Sequence, residues 1–144
     1  MWEINYFSAK SCENGDVRLE DDGTPFVFWN ANWSPICGHW FWDNNYGAIQ
    51  FCQKLGYTSG TQKRTGEAYS EDALRIGHCN NYDRLESCTG GCNEYEVGNG
   101  CARCTAGEGV KIVITCQGDG TQSSSCNDGN QMIGLNIRIN QNLL

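Results

Sequence analysis

The sequence predicts an α+β domain in which β-strands predominate, one α-helix is present and disulfides supply much of the stability. Three observations lead to this class. Short segments that alternate apolar and polar residues recur along the chain, and only one segment has helical spacing of its apolar residues. Ten cysteines are spread over 144 residues, an even set that is typical of pairing in an oxidising compartment. The length fits a single domain, residues 1–144.

Strand signals fill the first third of the chain. Residues 2–7 alternate apolar with polar side chains, which is the period of a half-buried strand. Apolar residues on both sides of a turn sequence at 21–23 predict a hairpin over residues 17–29. A further strand is expected to begin near Trp33.

One helix is predicted after these strands. Apolar residues recur at helical spacing from Ala48 to Leu55, and Gly56 follows where a C-terminal glycine cap belongs. We expect Asp43 or Asn44 to cap the start of this helix, because short polar side chains accept hydrogen bonds from its unpaired N–H groups.

The second half predicts loops separated by short strands. Residues 57–72 are rich in Thr, Ser, Gly and charged residues, which is typical of a long surface loop. Short strands are expected within residues 74–79 and 110–115. Within residues 132–140 the side chains from 133 onward alternate strictly, which predicts a final strand with one apolar face.

Several short motifs, in this order, resemble the scavenger receptor cysteine-rich (SRCR) domain family. They are Val17-Arg18-Leu19, Asn32-Trp33-Ser34-Pro35-Ile36-Cys37, Trp42-Asp43-Asn44-Asn45, Cys52-Gln53-Lys54-Leu55-Gly56, Leu74 to Cys79, Leu85 to Cys88, and Glu108 to Cys116. The resemblance covers about residues 16–116 and leaves terminal extensions at 1–15 and 117–144. It implies a curved, mostly antiparallel β-sheet that cradles one α-helix, to which the extensions add N- and C-terminal strands.

The resemblance also implies a disulfide pattern. The pairs that it implies are Cys37–Cys104, Cys52–Cys116 and Cys79–Cys88. Tyr57 stands where many family members have another cysteine, so the bridge that would use it is absent. For the remaining cysteines we infer the pairs Cys92–Cys101 and Cys12–Cys126. The choice of Cys104 over Cys101 as partner of Cys37 depends only on the spacing to Cys116.

Many SRCR domains bind a divalent cation through acidic residues that this chain largely lacks. Glu108 matches one of them, but Gly38-His39 replaces the first Asp pair and Arg75-Ile76 replaces a second acidic pair. Calcium takes roughly six to eight oxygen ligands, which a lone carboxylate cannot supply. We therefore expect no calcium site and no other metal or cofactor.

Catalytic motifs are missing from the sequence. Neither His39 nor His78 lies in a recognisable nucleophile or metal motif. The four cysteines from Cys88 to Cys104 have spacings that suit zinc or redox chemistry, but the other six favour disulfides. We therefore predict a protein that is not an enzyme; an extracellular enzyme or inhibitor would need a polar cleft that the sequence does not reveal.

The main binding candidates lie in an aromatic-rich segment. Trp40 and Phe41 stand where the SRCR family is polar, and His39, Asp43 and Glu108 complete the candidate set. The two aromatic residues either form an exposed platform for a sugar ring, a peptide or a neighbouring subunit, or fill core space, since large aromatic side chains are highly buried on average.

The function expected is that of a secreted or cell-surface recognition module, which binds a protein or glycan through loops 38–43, 57–72 and 89–109. The alternative is a structural subunit of an extracellular fibre, coat or oligomer, in which strands 2–7 and 132–140 pair with a neighbour and the chain self-associates. A net charge of −7 argues against nucleic acid and anionic membrane surfaces as partners.

Two further expectations concern processing. No apolar run approaches the roughly 20 residues that cross a bilayer, so we expect no membrane insertion. The first residues lack a basic segment followed by an apolar one, so we expect an extracellular chain whose targeting segment has been removed. Asn32-Trp33-Ser34 meets the N-glycosylation rule, but Pro35 follows, so we expect little occupancy of Asn32.

Overall fold

A computed structural model describes residues 10–81, 83–89, 103–120 and 122–127. Within these ranges the chain forms strands, one α-helix and two short 3-10 helices at 41–43 and 85–87. The elements are β1 (Val17–Leu19), β2 (Pro25–Trp29), β3 (Asn32–Cys37), α1 (Tyr46–Lys54), β4 (Ser59–Arg64), β5 (Ala73–Arg75), β6 (Arg103–Cys104) and β7 (Ile112–Gln117). The predicted strands at residues 2–7 and 132–140 lie outside the described residues.

The strands form two sheets. One sheet has the order β1-β2-β3-β5-β6, and the other pairs β4 with β7. Neighbouring strands are antiparallel except for β3 and β5, which are parallel. The prediction of an α+β domain with mostly antiparallel sheets and one helix is therefore confirmed for the part of the chain that is described.

The predicted hairpin over residues 17–29 is present as β1 and β2. Val27 and Trp29 are buried whereas Phe26 and Phe28 are only half-buried, which is the alternation of a strand with one face on the core. A two-residue turn joins β2 to β3, and Asn30 and Ala31 both have positive φ, 50° and 66°, as tight hairpin turns require.

Helix α1 lies where its apolar spacing placed it, and Gly56 follows it with a φ of 90°. The expected cap is only partly right. The N–H of Tyr46, the first helical residue, donates to Asn44 Oδ1 at 2.9 Å. The N-cap position itself is Asn45, whose side chain makes no cap bond. The alternative that Asp43 caps the helix is wrong, because its carboxylate is engaged by His78 instead.

The predicted surface loop at 57–72 is wrong over part of its length, since β4 occupies residues 59–64. This strand pairs with β7 along its whole length, from Ser59 opposite Gln117 to Arg64 opposite Ile112. Its polar side chains mostly reach solvent, and the backbone ladder together with the contact of β4 with α1 holds it in place. A short polar strand of this kind lacks the apolar alternation by which strands are recognised.

The apolar core lies between α1 and the sheets. Its fully buried residues include Val17, Val27, Ile36, Ala48, Phe51, Leu55, Leu74 and Ile112. A smaller cluster joins Cys37, Tyr69, Ala73, Cys104 and Val110. The two clusters share Trp42, which is half-buried and packs against both.

Four disulfides cross-link the described residues. They join Cys12 with Cys126, Cys37 with Cys104, Cys52 with Cys116, and Cys79 with Cys88. These are the partners expected from the sequence; the fifth expected pair, Cys92 with Cys101, lies outside the described residues. Four such bridges indicate folding in an oxidising environment.

The C-terminal segment 123–127 covers the outer edge of β1. The N–H of Leu19 donates to Ser123 O at 2.8 Å, and the N–H of Ser125 donates to Val17 O at 2.9 Å. Asp16 anchors the segment, because its carboxylate accepts hydrogen bonds from Ser125 Oγ and from Lys10 Nζ, both at 2.8 Å. Burial alone would raise the pKa of Asp16, but these hydrogen bonds outweigh it and hold the pKa below its usual value.

Tyr69 joins the smaller cluster to the larger one through its buried hydroxyl. The hydroxyl donates to Ile36 O at 2.9 Å and accepts from the N–H of Ile112 at 3.4 Å. Burial raises the pKa of this hydroxyl from 10.0 to about 12, because the phenolate would lose its hydration in this site.

We predict that Tyr69→Phe lowers the free energy of unfolding by ~1–2 kcal/mol, because it leaves two backbone groups without a partner. The folded pKa lies above the unfolded one, so the unfolded chain loses its proton first as pH rises. The advantage of the wild type over Tyr69→Phe is therefore complete below pH 10 and shrinks as pH rises toward about 12. Urea titrations of both proteins at about pH 8 and about pH 11 measure this difference; an advantage that stays constant would contradict the assignment.

Candidate functional site

Five side chains form a continuous row on the surface between the two sheets. In spatial order they are Arg64, Trp42, His39, Trp40 and Arg75, which we call the Arg–aromatic row. The guanidinium carbon of Arg64 lies 3.7 Å from the centre of the Trp42 ring, and that of Arg75 lies 5.1 Å from the Trp40 ring. The His39 ring lies 4.8 Å from the Trp40 ring and 6.3 Å from the Trp42 ring. The row thus has aromatic rings at its centre and a cation at each end.

The 38–43 loop positions the centre of the row. The N–H of Gly38 donates to Val110 O at 2.8 Å, and the N–H of Trp42 donates to Gly38 O at 2.9 Å, which closes a tight turn. A Cβ at position 38 would collide with the Trp42 and Ile112 side chains. Within the turn, Trp40 has a φ of 69°, a backbone conformation that is uncommon for a bulky residue. The loop therefore fixes the directions in which its aromatic side chains point.

The two arginines come from different sheets. Arg64 is the last residue of β4, and Arg75 is the last residue of β5. On β4, Gln62 lies on the same face as Arg64 and its Nε2 donates to Trp42 O at 3.2 Å. The fold therefore brings together residues that are far apart in sequence.

The aromatic segment divides into a surface part and a core part. Trp40 is half-buried and His39 is exposed, so both are accessible to a ligand. Phe41 is only 1% exposed, and it packs so closely on Gly47 that a Cβ there would overlap its ring. The platform interpretation is therefore wrong for Phe41, because the start of α1 provides the apolar contact that its ring needs.

The remaining candidates lie beside the row or away from it. Asp43 is exposed, and its Oδ2 lies 2.8 Å from His78 Nδ1. Glu108 accepts a hydrogen bond from the N–H of Thr105 at 2.6 Å, and none of the described contacts joins it to the row. Asn32 is exposed at the start of β3, where its Nδ2 donates to Asn30 O at 3.2 Å; its glycosylation stays a prediction.

A recess of about 670 Å³ lies away from the row, at the turn between β1 and β2. It is lined by Arg18, Leu19, Glu20, Asp21, Asp22, Thr24, Phe26 and Ser123. Arg18, the cationic residue of this recess, is already paired with a carboxylate, since its Nε donates to Glu20 Oε2 at 2.8 Å. The row differs from this recess because neither of its arginines has a carboxylate partner among the described residues.

Sequence reasoning identified only part of the row. His39 and Trp40 are candidates from the sequence, whereas Trp42 stands only within a motif of the SRCR resemblance and Arg64 falls in the loop predicted at 57–72. Arg75 was noted only as a replacement for an acidic residue. The spacing of Gln62 and Arg64, two residues apart and so on one face of a strand, is the signal that places Arg64 beside the tryptophans once β4 is recognised.

Within the described ranges, no group of three or more His, Cys, Asp or Glu side chains is arranged to hold a metal ion. No helix in that part of the chain is long and apolar enough to cross a bilayer. In comparisons with models of known protein families and with curated protein sequences, the chain matches none of them.

Proposed function

We propose that this chain is an extracellular recognition module with an SRCR-like fold, which binds a protein or glycan at the Arg–aromatic row and has no catalytic activity. The observation that carries the proposal is the row itself. Tryptophan and arginine together dominate the binding energy of many protein interfaces, and the aromatic rings also suit sugar contacts. In this chain both residue types are gathered on one accessible surface.

The SRCR assignment within this proposal is supported by the cysteine partners and by the single helix. The three pairs that the resemblance implied within residues 16–116 are disulfides in the structure. The helix lies between Cys37 and Cys79 in sequence, and it carries Cys52 on its buried face. A rigid, cross-linked scaffold with an exposed loop is what a recognition module requires.

Secretion fits the same proposal. Four disulfides are rarely kept in a reducing compartment, and they hold the loop and strands from which the row is built. The bridge Cys37–Cys104 is adjacent in sequence to the 38–43 loop, so oxidation stabilises the recognition surface directly.

We predict that Trp40→Ala lowers binding by about tenfold or more, since half-buried aromatic anchors contribute ~2 kcal/mol or more at interfaces. Wild type and variant are compared on arrays of glycans and of synthetic peptides at equal protein concentration. Tyr46→Ala is the matched control, because Tyr46 is an exposed aromatic residue outside the row. Ligands bound equally by all three proteins would overturn the proposal.

Size-exclusion chromatography with light scattering separates this function from the alternative, in which the chain is a subunit of a fibre, coat or oligomer. A monomer at working concentration supports recognition. A discrete or open-ended assembly that Trp40→Ala leaves intact would favour the structural role instead.

A further inference from the structure

We infer that the ligand of the Arg–aromatic row is an acidic peptide segment whose carboxylates bind Arg64 and Arg75. This inference rests on the proposed function and names the chemistry of its partner. It is based on a comparison of three arginines of the chain. Arg18 contacts both aromatic rings and a carboxylate, whereas Arg64 and Arg75 contact an aromatic ring but no carboxylate among the described residues.

Arg18 shows the complete arrangement. Its guanidinium carbon lies 4.8 Å from the Phe26 ring centre and 4.7 Å from the Trp33 ring centre. The same guanidinium donates from Nε to Glu20 Oε2 at 2.8 Å. Stacking uses the flat faces of a guanidinium and leaves its N–H edge free, so an aromatic ring and a carboxylate bind it simultaneously.

Arg64 and Arg75 have the aromatic contact without the carboxylate. Their guanidinium carbons lie over Trp42 and Trp40, respectively. Neither arginine takes part in an ion pair among the described residues, whereas Lys10, Arg18, Lys54, Arg84 and Lys111 all do. The Nε of Arg75 is moreover buried without a hydrogen-bond partner in that part of the chain.

Among the described residues Lys63 and Arg103 also lack an ion pair, but neither of them lies over an aromatic ring there. Arg64 and Arg75 combine both features, in a chain that carries 17 Asp and Glu residues against 10 Lys and Arg residues. The nearest carboxylate in sequence to the aromatic centre of the row is Asp43, and it is bound to His78. The row therefore presents two guanidinium groups that lie over tryptophan rings and have no carboxylate partner among the described residues.

A peptide fits the row better than a saccharide does. Sugar rings bind tryptophan by lying flat on an open ring face, but Arg64 lies over the Trp42 ring and Arg75 over the Trp40 ring, which also has the His39 ring beside it. Because Arg75 Nε is buried, it is the terminal Nη groups of the two guanidiniums that remain for planar, two-pronged contact with Asp or Glu side chains. The complete arrangement at Arg18 uses such a side chain, that of Glu20.

The test uses the whole oxidised chain and a short oligo-L-glutamate peptide, with oligo-L-glutamine of the same length as the neutral match. Nitrogen-15 NMR of the arginine Nε–H groups follows each titration. We expect oligoglutamate, and not oligoglutamine, to shift the Arg64 and Arg75 signals, and R64Q/R75Q to weaken binding about tenfold. Lys63→Gln is the control variant, because successive residues of β4 point to opposite faces, and it should bind as the wild type does.

Three outcomes would overturn the inference. In the first, R64Q/R75Q binds oligoglutamate as tightly as the wild type does. In the second, oligoglutamate shifts only the NMR signals of arginines outside the row. In the third, the protein binds an oligogalacturonate but not oligoglutamate. Failure of this inference can be distinguished from failure of the proposed function. If the binding of ligands found on the arrays requires Trp40 but not Arg64 and Arg75, the surface is a recognition site and only its preference for acidic ligands is refuted.

Discussion

Replacing Phe41 with alanine is expected to lower the free energy of unfolding by ~3–5 kcal/mol, the range measured for fully buried aromatic residues. The ring is 1% exposed and fills the space against Gly47 at the start of α1. Its removal leaves a cavity between the helix and the 38–43 loop, which the disulfide at Cys37 prevents from collapsing freely. Urea denaturation followed by tryptophan fluorescence measures the loss.

The neighbouring substitution Trp40→Ala is the internal control for this experiment. Trp40 is half-buried, so its truncation should cost about 1 kcal/mol, the usual size of a single-residue effect. The two variants therefore distinguish an effect on stability from an effect on binding. Phe41→Ala is expected to destabilise the fold, whereas Trp40→Ala is expected to weaken ligand binding. Equal stability losses for both variants would mean that the loop does not divide its aromatic side chains in this way.

Removing the bridge between Cys37 and Cys104 is expected to cost about 4 kcal/mol, because it closes a long loop and constrains the unfolded chain strongly. The two cysteines are 67 residues apart in sequence, and both are buried. The double variant Cys37→Ala/Cys104→Ala tests this in chemical denaturation under oxidising conditions. It also loosens β3 against β6, so ligand binding at the row should fall with it.

The bridge between Cys79 and Cys88 provides the matched comparison. These cysteines are equally buried, but only 9 residues separate them, so the chain-entropy contribution is smaller, about 2.5 kcal/mol. Cys79→Ala/Cys88→Ala should therefore destabilise less than Cys37→Ala/Cys104→Ala. The reverse order would show that packing of the sulfur atoms, and not loop closure, governs the effect of these bridges.

The candidate site was only partly predictable because its members depend on how strands meet. His39 and Trp40 were recognisable from their composition and from their departure from the SRCR pattern. Arg64 was not recognisable, because β4 is polar and lacks the alternation of apolar and polar residues that predicts a strand. A polar sequence of this kind predicts a loop at 57–72 instead. The contact of Arg75 with Trp40 joins the end of β5 to the 38–43 loop, and no local pattern reveals such an approach.

Asp43 illustrates the same limit at shorter range. Its type and place before α1 predicted a helix cap, yet its carboxylate binds His78 at 2.8 Å. Asn44 takes the bond to the first helical N–H. Two adjacent polar residues satisfy the same capping rule equally well, and the position of the His78 side chain, which is partly exposed like that of Asp43, decides between them.

The sequence by itself determined the elements whose signal is local: the hairpin over residues 17–29, the helix before Gly56 and a cysteine content suited to an oxidising environment. Each depends on periodicity, turn chemistry or composition, and these signals are contained in residues that are close together in the chain. Only the tertiary structure decided that Phe41 is core while Trp40 is surface, that a polar segment forms β4, and that Arg64 and Arg75 stand at the two ends of one aromatic row. These features depend on which surfaces pack together, because burial and pairing are properties of contacts between residues distant in sequence.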